Sequence, residues 1–363
     1  MNSAGNLFAY NLFKWKNFPV LLSSCSSQIS EDIFYDFELD LDQQTGLLFQ
    51  KNIPMQSVVY QEPRNSAVGK VWRDHHDSLY GFVSSFGLKG KSICEIGSGS
   101  GFLAQKIAED FKIDCYEPNA CFAANHNINI HPVFFDEKIK QKYDVIIMSH
   151  VIEHIVDVNN FLFSLRSNLN DEGRLILSFP DFYSSLEEES ISAFNSEHIS
   201  YFSEDSIIRL LSKNGFADIV IHKYKNHSIF VSAAKVKITK DIFNLKPIDE
   251  VELVRIESKI SRYLEKIQKK ISLIEKRTDK IDNFYLFGCH AMTSILLYLS
   301  KIDQNKVINI LDNDKLKHNL RLYGTNLFCR SIEDCKPGFV ILNAGVYHQE
   351  IKSQLLSNNF KII

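Results

Sequence analysis

The 363-residue chain has no apolar run near the ~18 residues that a membrane-crossing helix needs, and SILLYL (294–299) is among its longest. Its opening stretch, MNSAGNLFAYNLFKWK, lacks a basic start followed by an apolar segment, so no secretory leader is expected. Seven cysteines (Cys25, Cys94, Cys115, Cys121, Cys289, Cys329 and Cys335) form no C-x-x-C pair. Buried, reduced thiols in a cytoplasmic protein fit that pattern better than a disulfide framework. No strong charge of one sign is present either: the net charge is −3, which excludes a general attraction to nucleic acid or to an anionic membrane.

What is present is the composition of an ordinary globular protein, 45% apolar and 23% charged, which sets disorder aside. The length predicts two or three domains. Residues 1–62 read as a small irregular N-terminal unit rich in Phe, Ser and Asp, with a hairpin over 37–50 turning at Gln43-Gln44-Thr45-Gly46. From residue 63 to 245 strand-like and helical segments alternate. Asn65–Phe86 is predicted helical, and SICEI (92–96), IDCYE (113–117), the weaker HPVFF (131–135), DVIIMS (144–149) and RLILSF (174–179) are predicted strands. ADIVIH (217–222) and SIFVSAA (228–234) close the pattern as an antiparallel pair, and Ser203 is the expected N-cap of a helix over 204–213. The expected fold class is therefore α/β, with a Rossmann-like sheet of seven strands.

Beyond Lys246-Pro247, residues 246–282 carry Leu253, Ile256, Ile260, Tyr263, Ile267, Ile271 and Ile274 at intervals of three and four, one long amphipathic helix. The favoured reading packs this stripe on its own chain; the other pairs it with a second copy as a homodimer. The mixed charges between Lys259 and Lys280 read as a solvated helix face. Residues 283–363 form a second, smaller α/β unit around FYLFGC (284–289), a helix over 291–299, VINILD (307–312) and FVILNA (339–344).

The chemistry is concentrated in CEIGSGSGFLAQ (94–105). Gly97, Gly99 and Gly101 fall between a strand and a helix, where glycine permits a sharp turn with positive φ and a close approach of ligand to backbone. Dinucleotides and S-adenosylmethionine both use such a loop. A dinucleotide loop reads G-x-G-x-x-G, but the position three after Gly99 is Phe102, which favours the sulfonium nucleoside. Glu117 ends the next strand, eighteen residues beyond Gly99, where a carboxylate can accept both hydroxyls of a ribose. Glu95 lies inside the strand, and a carboxylate there is rarely buried without a partner.

Together these features resemble the class I S-adenosylmethionine-dependent methyltransferases over roughly residues 90–235. The resemblance implies S-adenosyl-L-methionine as cofactor, bound by Glu95, Gly97, Ser98, Gly99, Gly101, Glu117 and Pro118. It also implies contacts from Phe135 or Asp136 to adenine, and from SHVIEHI (149–155), with His150, to the methionine part.

Methyl transfer to a hydroxyl or carbon acid needs a base as well as an aligned nucleophile. SEHISYFSEDS (196–206) offers Glu197 and His198 ahead of the capped helix, and histidine accepts a proton near neutrality. With NHSIFV (226–231) and DNDKLKHNLRLYGT (312–325), this stretch resembles the three-domain sugar methyltransferases of nucleotide-linked deoxysugar biosynthesis. That resemblance implies His198 and Glu197 as catalytic, and Tyr60, Tyr201, Asn226 and His227 as substrate-binding; His154, in VIEHI on the cofactor side, is a second catalytic candidate. The acceptor it implies is a nucleotide-linked sugar or glycan precursor.

Three positions depart from that family. The second cysteine pair of its N-terminal zinc unit is missing, so the unit reads as a degenerate zinc-type domain and no metal is expected. Asn195 stands where the family has tyrosine, and Gly288-Cys289-His290-Ala291-Met292 lacks its lysine. An O- or N-methyltransferase of a phosphorylated or capsular building block is therefore a second reading, and a non-catalytic nucleotide-sugar-binding protein a third. His75 and His76 are expected to be exposed on their helix.

Overall fold

Apolar residues alternate between the two faces of the strand Tyr143–Ser149. Ile146 and Met148 face the helices Val158–Asn168 and Glu204–Lys213, and Val145 and Ile147 face the helices Lys70–Ser84 and Phe102–Ile107. A sheet buried on both sides is built from such runs. The structure, a computed structural model, describes residues 12–59, 69–237 and 246–363.

The main sheet has seven strands, in the spatial order Phe216–Tyr224, Ser228–Lys235, Leu169–Pro180, Tyr143–Ser149, Ile93–Ile96, Ile113–Tyr116 and Ile128–His131. The last five in that list run parallel, with Ile93 beside both Ile113 and Val145. Ser228–Lys235 is antiparallel to both of its neighbours. The α/β class and the antiparallel final pair match expectation. The third parallel strand is Ile128–His131, not 131–135. Ile128 supplies the buried anchor opposite Ile113, whereas Val133 and Phe134 lie exposed beyond the strand. From the central strand Ile93–Ile96 the chain goes first to one side and then, at Tyr143, to the other. That reversal opens a crevice at the C-terminal ends of the strands, where ligands of such folds bind.

The expected irregularity of the first 60 residues is corrected by the structure. Phe13–Pro19, Phe34–Asp42 and Leu47–Gln50 form an antiparallel sheet, and its fourth strand, Ser200–Tyr201, comes from the middle of the chain. The hairpin over 37–50 is present, with Thr45 and Gln44 bound to the Asp42 carboxylate in its turn. The aromatic residues that gave the stretch its odd composition form a core: Phe13, Trp15, Phe18 and Phe37 pack with ring centroids 5.1–5.8 Å apart.

The long helix spans Glu250–Thr278, capped by the Asp249 carboxylate. Ile256, Ile260, Tyr263, Ile267 and Ile271 are buried in the same core as Phe18, Phe37, Phe182 and Phe194. The stripe is thus covered by its own chain, the favoured of the two sequence readings. The C-terminal segment forms a five-stranded parallel sheet around Phe284–Phe287, with the helix Ala291–Leu299 as expected. Phe284 and Leu286 join the core that holds the N-terminal sheet. Cys25 is buried and pairs, strand to strand, with Arg321. No described helix is long and apolar enough to cross a membrane.

Candidate active site

The turn after Ile96 follows from its glycines. All three have positive φ, 73°, 49° and 73° for Gly97, Gly99 and Gly101. A Cβ on Gly97 would meet Val151 at 2.4 Å, and one on Gly101 would meet the Phe122 ring at 2.3 Å, whereas Gly99 faces open space. Gly97 and Gly101 therefore admit the protein's own side chains, and Gly99 leaves bare main chain. Glu117, at the tip of the neighbouring strand, accepts hydrogen bonds from the Gly99 amide (3.0 Å) and from the Asn119 amide (2.9 Å).

Two buried polar groups at this loop have no hydrogen-bond partner, Glu95 Oε2 and Ser98 Oγ. Burial, with the nearby Glu117 charge second, raises the Glu95 carboxyl to about 8. The open face at Gly99, the carboxylate of Glu117 and these unspent polar atoms fit a nucleoside with a cationic tail. Pro118 is half-buried beside Glu117. Phe135 is buried edge-on against Tyr116, with centroids 5.0 Å apart, and Asp136 is exposed and accepts from the Lys138 amide at 2.9 Å.

A second group rises from the strand Tyr143–Ser149. His150, at φ 54°, directs Nδ1 to Glu153 Oε1 at 3.2 Å and Nε2 to Ser228 Oγ at 3.0 Å. Glu153 is 1% exposed, and burial raises its carboxyl to about 7, offset in part by His154. His154 Nδ1 lies 2.9 Å from the Glu197 carbonyl, and its ring stands edge-on to His198 at 5.1 Å. Loss of water, then the neighbouring His154, keeps the His198 imidazole well below its ordinary pKa and so neutral at physiological pH.

The segment carrying Glu197 and His198 is fixed by its surroundings. Asn195 Oδ1 accepts from both the Glu197 and His198 amides (2.9 and 3.0 Å). Gln50, reaching from the N-terminal sheet, donates to the carbonyls of Asn195, Ser196 and His198, and the Ile199 amide donates to the Glu153 carbonyl. Asn195 thus organises the loop. The adjoining cavity of about 100 Å³ is lined by Glu153 and His198 with Ser185, Ser190, Ser192 and Tyr201. Tyr201 lines it with its ring, because its hydroxyl donates to the Asn195 carbonyl at 2.9 Å.

The expectation that His75 and His76 are exposed is overturned: both are buried. His75 is four and eight residues before Leu79 and Val83, also buried, so that spacing is the signal that places it on the inner face of its helix. Its Nε2 meets Ser178 Oγ at 2.9 Å, and its ring lies 5.2 Å from His150 and 5.4 Å from His227. Trp72 covers all three rings edge-on, at 4.9–5.4 Å. Glu153 was also missed, hidden in sequence between the two histidines of SHVIEHI. Asn226 is exposed and donates to the Glu188 carboxylate at 2.8 Å. Tyr60 falls outside the described residues.

Residues 71–221 match the profile of a family described as a methyltransferase domain. Among solved structures, the chain is similar to magnesium protoporphyrin IX methyltransferase from Synechocystis PCC 6803 with bound S-adenosylhomocysteine (20% identity, 47% of this chain and 90% of that one, TM-score 0.37). It is also similar to a putative S-adenosylmethionine-dependent methyltransferase from Listeria monocytogenes (14%, 46% and 100%, TM-score 0.38). A third likeness is to phosphoethanolamine N-methyltransferase 2 from Haemonchus contortus (14%, 44% and 53%, TM-score 0.35). No curated protein matches the chain. Residues 71–221 thus match a methyltransferase domain, and the glycine turn and the Glu117 carboxylate bound to it lie within that stretch.

Proposed function

We propose that the protein methylates a nucleotide-activated sugar or a related glycan precursor, with His198 as the base that takes the acceptor's proton. One observation carries the reading. The glycine turn, Glu117, His154 and the Glu197-His198 segment all collect at the C-terminal edge of the same sheet, the last held there by the Glu153 carbonyl and Gln50.

Gly97, Ser98, Gly99 and Gly101 form the cofactor turn, Glu117 takes the ribose hydroxyls, and Pro118 and Asp136 border the nucleoside. Bound there, S-adenosyl-L-methionine supplies the methyl group. His198 is neutral, so a ring nitrogen is free to take the acceptor's proton, although burial and the neighbouring His154 make it a weaker base than an exposed imidazole. Glu197 serves the acceptor beside His198, and the Asn195 side chain holds its backbone amide. At about 100 Å³, the serine-lined cavity is well below the ~300–1,000 Å³ of a site that encloses a whole ligand. Only the reacting end of an acceptor enters it, and hydroxyls on that end suit the serines.

In this reading the chain comprises a degenerate zinc-type N-terminal unit, a methyltransferase domain over 63–245, the linking helix and the C-terminal α/β unit. The test is methyl transfer to a panel of nucleotide-sugars and glycan phosphates, followed by mass spectrometry. His198→Ala should abolish transfer to the accepted compound while leaving S-adenosylhomocysteine binding intact. Unchanged turnover in that variant would remove the base assignment, and no transfer to any sugar would remove the acceptor class.

A further inference from the structure

His75, His150 and His227 come from three separate elements, the helix Lys70–Ser84, the residue after the strand Tyr143–Ser149, and the turn between the two antiparallel strands. Each offers a ring nitrogen, and those nitrogens lie within 4.8 Å of one another. The rings make no hydrogen bonds to each other that would explain the gathering; their polar contacts go elsewhere. His75 Nε2 is 2.9 Å from Ser178 Oγ, while its Nδ1 is buried without a partner. His150 Nδ1 is 3.2 Å from the Glu153 carboxylate. Ser228 Oγ lies 3.0 Å from His150 Nε2 and 2.6 Å from His227 Nδ1.

A buried imidazole nitrogen without a partner, as His75 Nδ1 is, is costly to keep. Histidines that ligate a metal bind it through one ring nitrogen and give the other to a carboxylate, hydroxyl or carbonyl. His75 and His150 have that second partner in Ser178 and Glu153. The Glu153 contact is one of proximity, Oε1 lying 3.2 Å from His150 Nδ1 with neither carboxylate oxygen hydrogen-bonded, and a buried carboxylate beside the rings offsets part of a dication's charge.

We propose that His75, His150 and His227 bind one divalent transition-metal ion of the zinc class, with Glu153 orienting His150. A tetrahedron built on ~2.0–2.1 Å bonds needs nitrogens ~3.4 Å apart, which shifts of under about 1 Å at each ring achieve. Three protein ligands leave the fourth position to water or to an oxygen of the acceptor, the arrangement of catalytic rather than structural zinc. No local motif announces this site, because its ligands lie far apart in the chain. In this assignment His150 and His227 hold the ion instead of touching cofactor or acceptor directly.

The experiment is titration of the full chain, free of any histidine tag and stripped with chelator, with Co²⁺ followed by visible absorption, and with Zn²⁺ by calorimetry. One equivalent should bind, with the absorption of a four-coordinate Co²⁺ site. His227→Ala should weaken binding at least about 100-fold, and Glu153→Gln about 10- to 100-fold. His75 is buried and its replacement can disturb the helix, so His227→Ala, in a turn, is the deciding variant, with circular dichroism as the check on folding. No stoichiometric binding, or full affinity in His227→Ala, would overturn the proposal. So would loss of binding on His198→Ala alone, which would put the ion on the neighbouring Glu153, His154 and His198.

Discussion

The carboxylate of Glu117 accepts a hydrogen bond from the Gly99 amide at 3.0 Å, so the tip of one strand holds the turn that follows its neighbour. In the proposed function, an S-adenosyl nucleoside meets that same carboxylate. Glu117→Ala should weaken S-adenosylhomocysteine binding by about 1.5–3 kcal/mol, as loss of a hydrogen bond to a charged group does. Titration calorimetry reads the change, and an unaltered affinity would contradict the ribose-side role.

The glycines of the turn should separate into two kinds. In Gly101→Ala the new methyl meets the Phe122 ring, so overpacking of ~1–3 kcal/mol adds to the ~1–2 kcal/mol of a left-handed backbone. Gly99→Ala carries the backbone term alone, because its methyl points into open space. Chemical unfolding should rank Gly101→Ala well below Gly99→Ala in stability, while cofactor affinity falls in Gly99→Ala although its fold is kept. Equal unfolding midpoints would contradict the packing seen at Phe122.

Glu95 should make stability fall as pH rises. Its folded pKa is about 8 against an ordinary 4.5, so between those values the folded chain holds a proton that the unfolded chain has released. The contribution is complete below the unfolded pKa and is lost as pH rises through the folded one. Glu95→Gln cannot titrate. Urea unfolding of the cofactor-free protein should show the wild type losing ~3 kcal/mol relative to Glu95→Gln between about pH 5 and about pH 8.5. A difference that stays flat with pH would mean that the carboxyl is not desolvated.

Arg321 and Asp32 form a buried pair, with side chains 6% and 0% exposed, that ties the C-terminal segment to the N-terminal one. The guanidinium also donates to the carbonyls of Ser27 and Thr325, and Asp32 accepts from the Gly324 amide. Arg321→Ala leaves Asp32 charged and buried, and should lower stability by about 3–5 kcal/mol. Removing both charges in Asp32→Asn/Arg321→Met should lower it less. Thermal unfolding of the two variants decides, and equal losses would mean that the remaining hydrogen bonds, not the charges, hold this contact.

Most of the main sheet was legible because its strands are buried on both faces and read as continuous apolar runs. The helix over 204–213 was legible to the residue, since Ser203 and Ser206 exchange side-chain and backbone bonds at its start. HPVFF misled because aromatic residues signal strand whether they enter a core or, as Phe134 does, project from a loop. The N-terminal sheet was hidden because one of its strands, Ser200–Tyr201, is two residues long and lies far along the chain. Of the candidate site, the glycine turn, Glu117 and the His154–His198 pair were singled out from local sequence, and the fold brings them to one edge of the sheet. His75 was not, because a pair of polar residues on a helix was weighed by surface preference rather than by its four-residue spacing to Leu79 and Val83. Glu153 could be found only by folding, since burial and its neighbours, not its motif, set its chemistry.

The contribution of Ser200–Tyr201 to the N-terminal sheet has a bearing on biosynthesis. During translation the strand Leu47–Gln50 emerges long before its partner exists, and until then it offers a free edge to any other extended chain. A ribosome that stalls between these segments would release a product with that edge still open, prone to stick to its own kind.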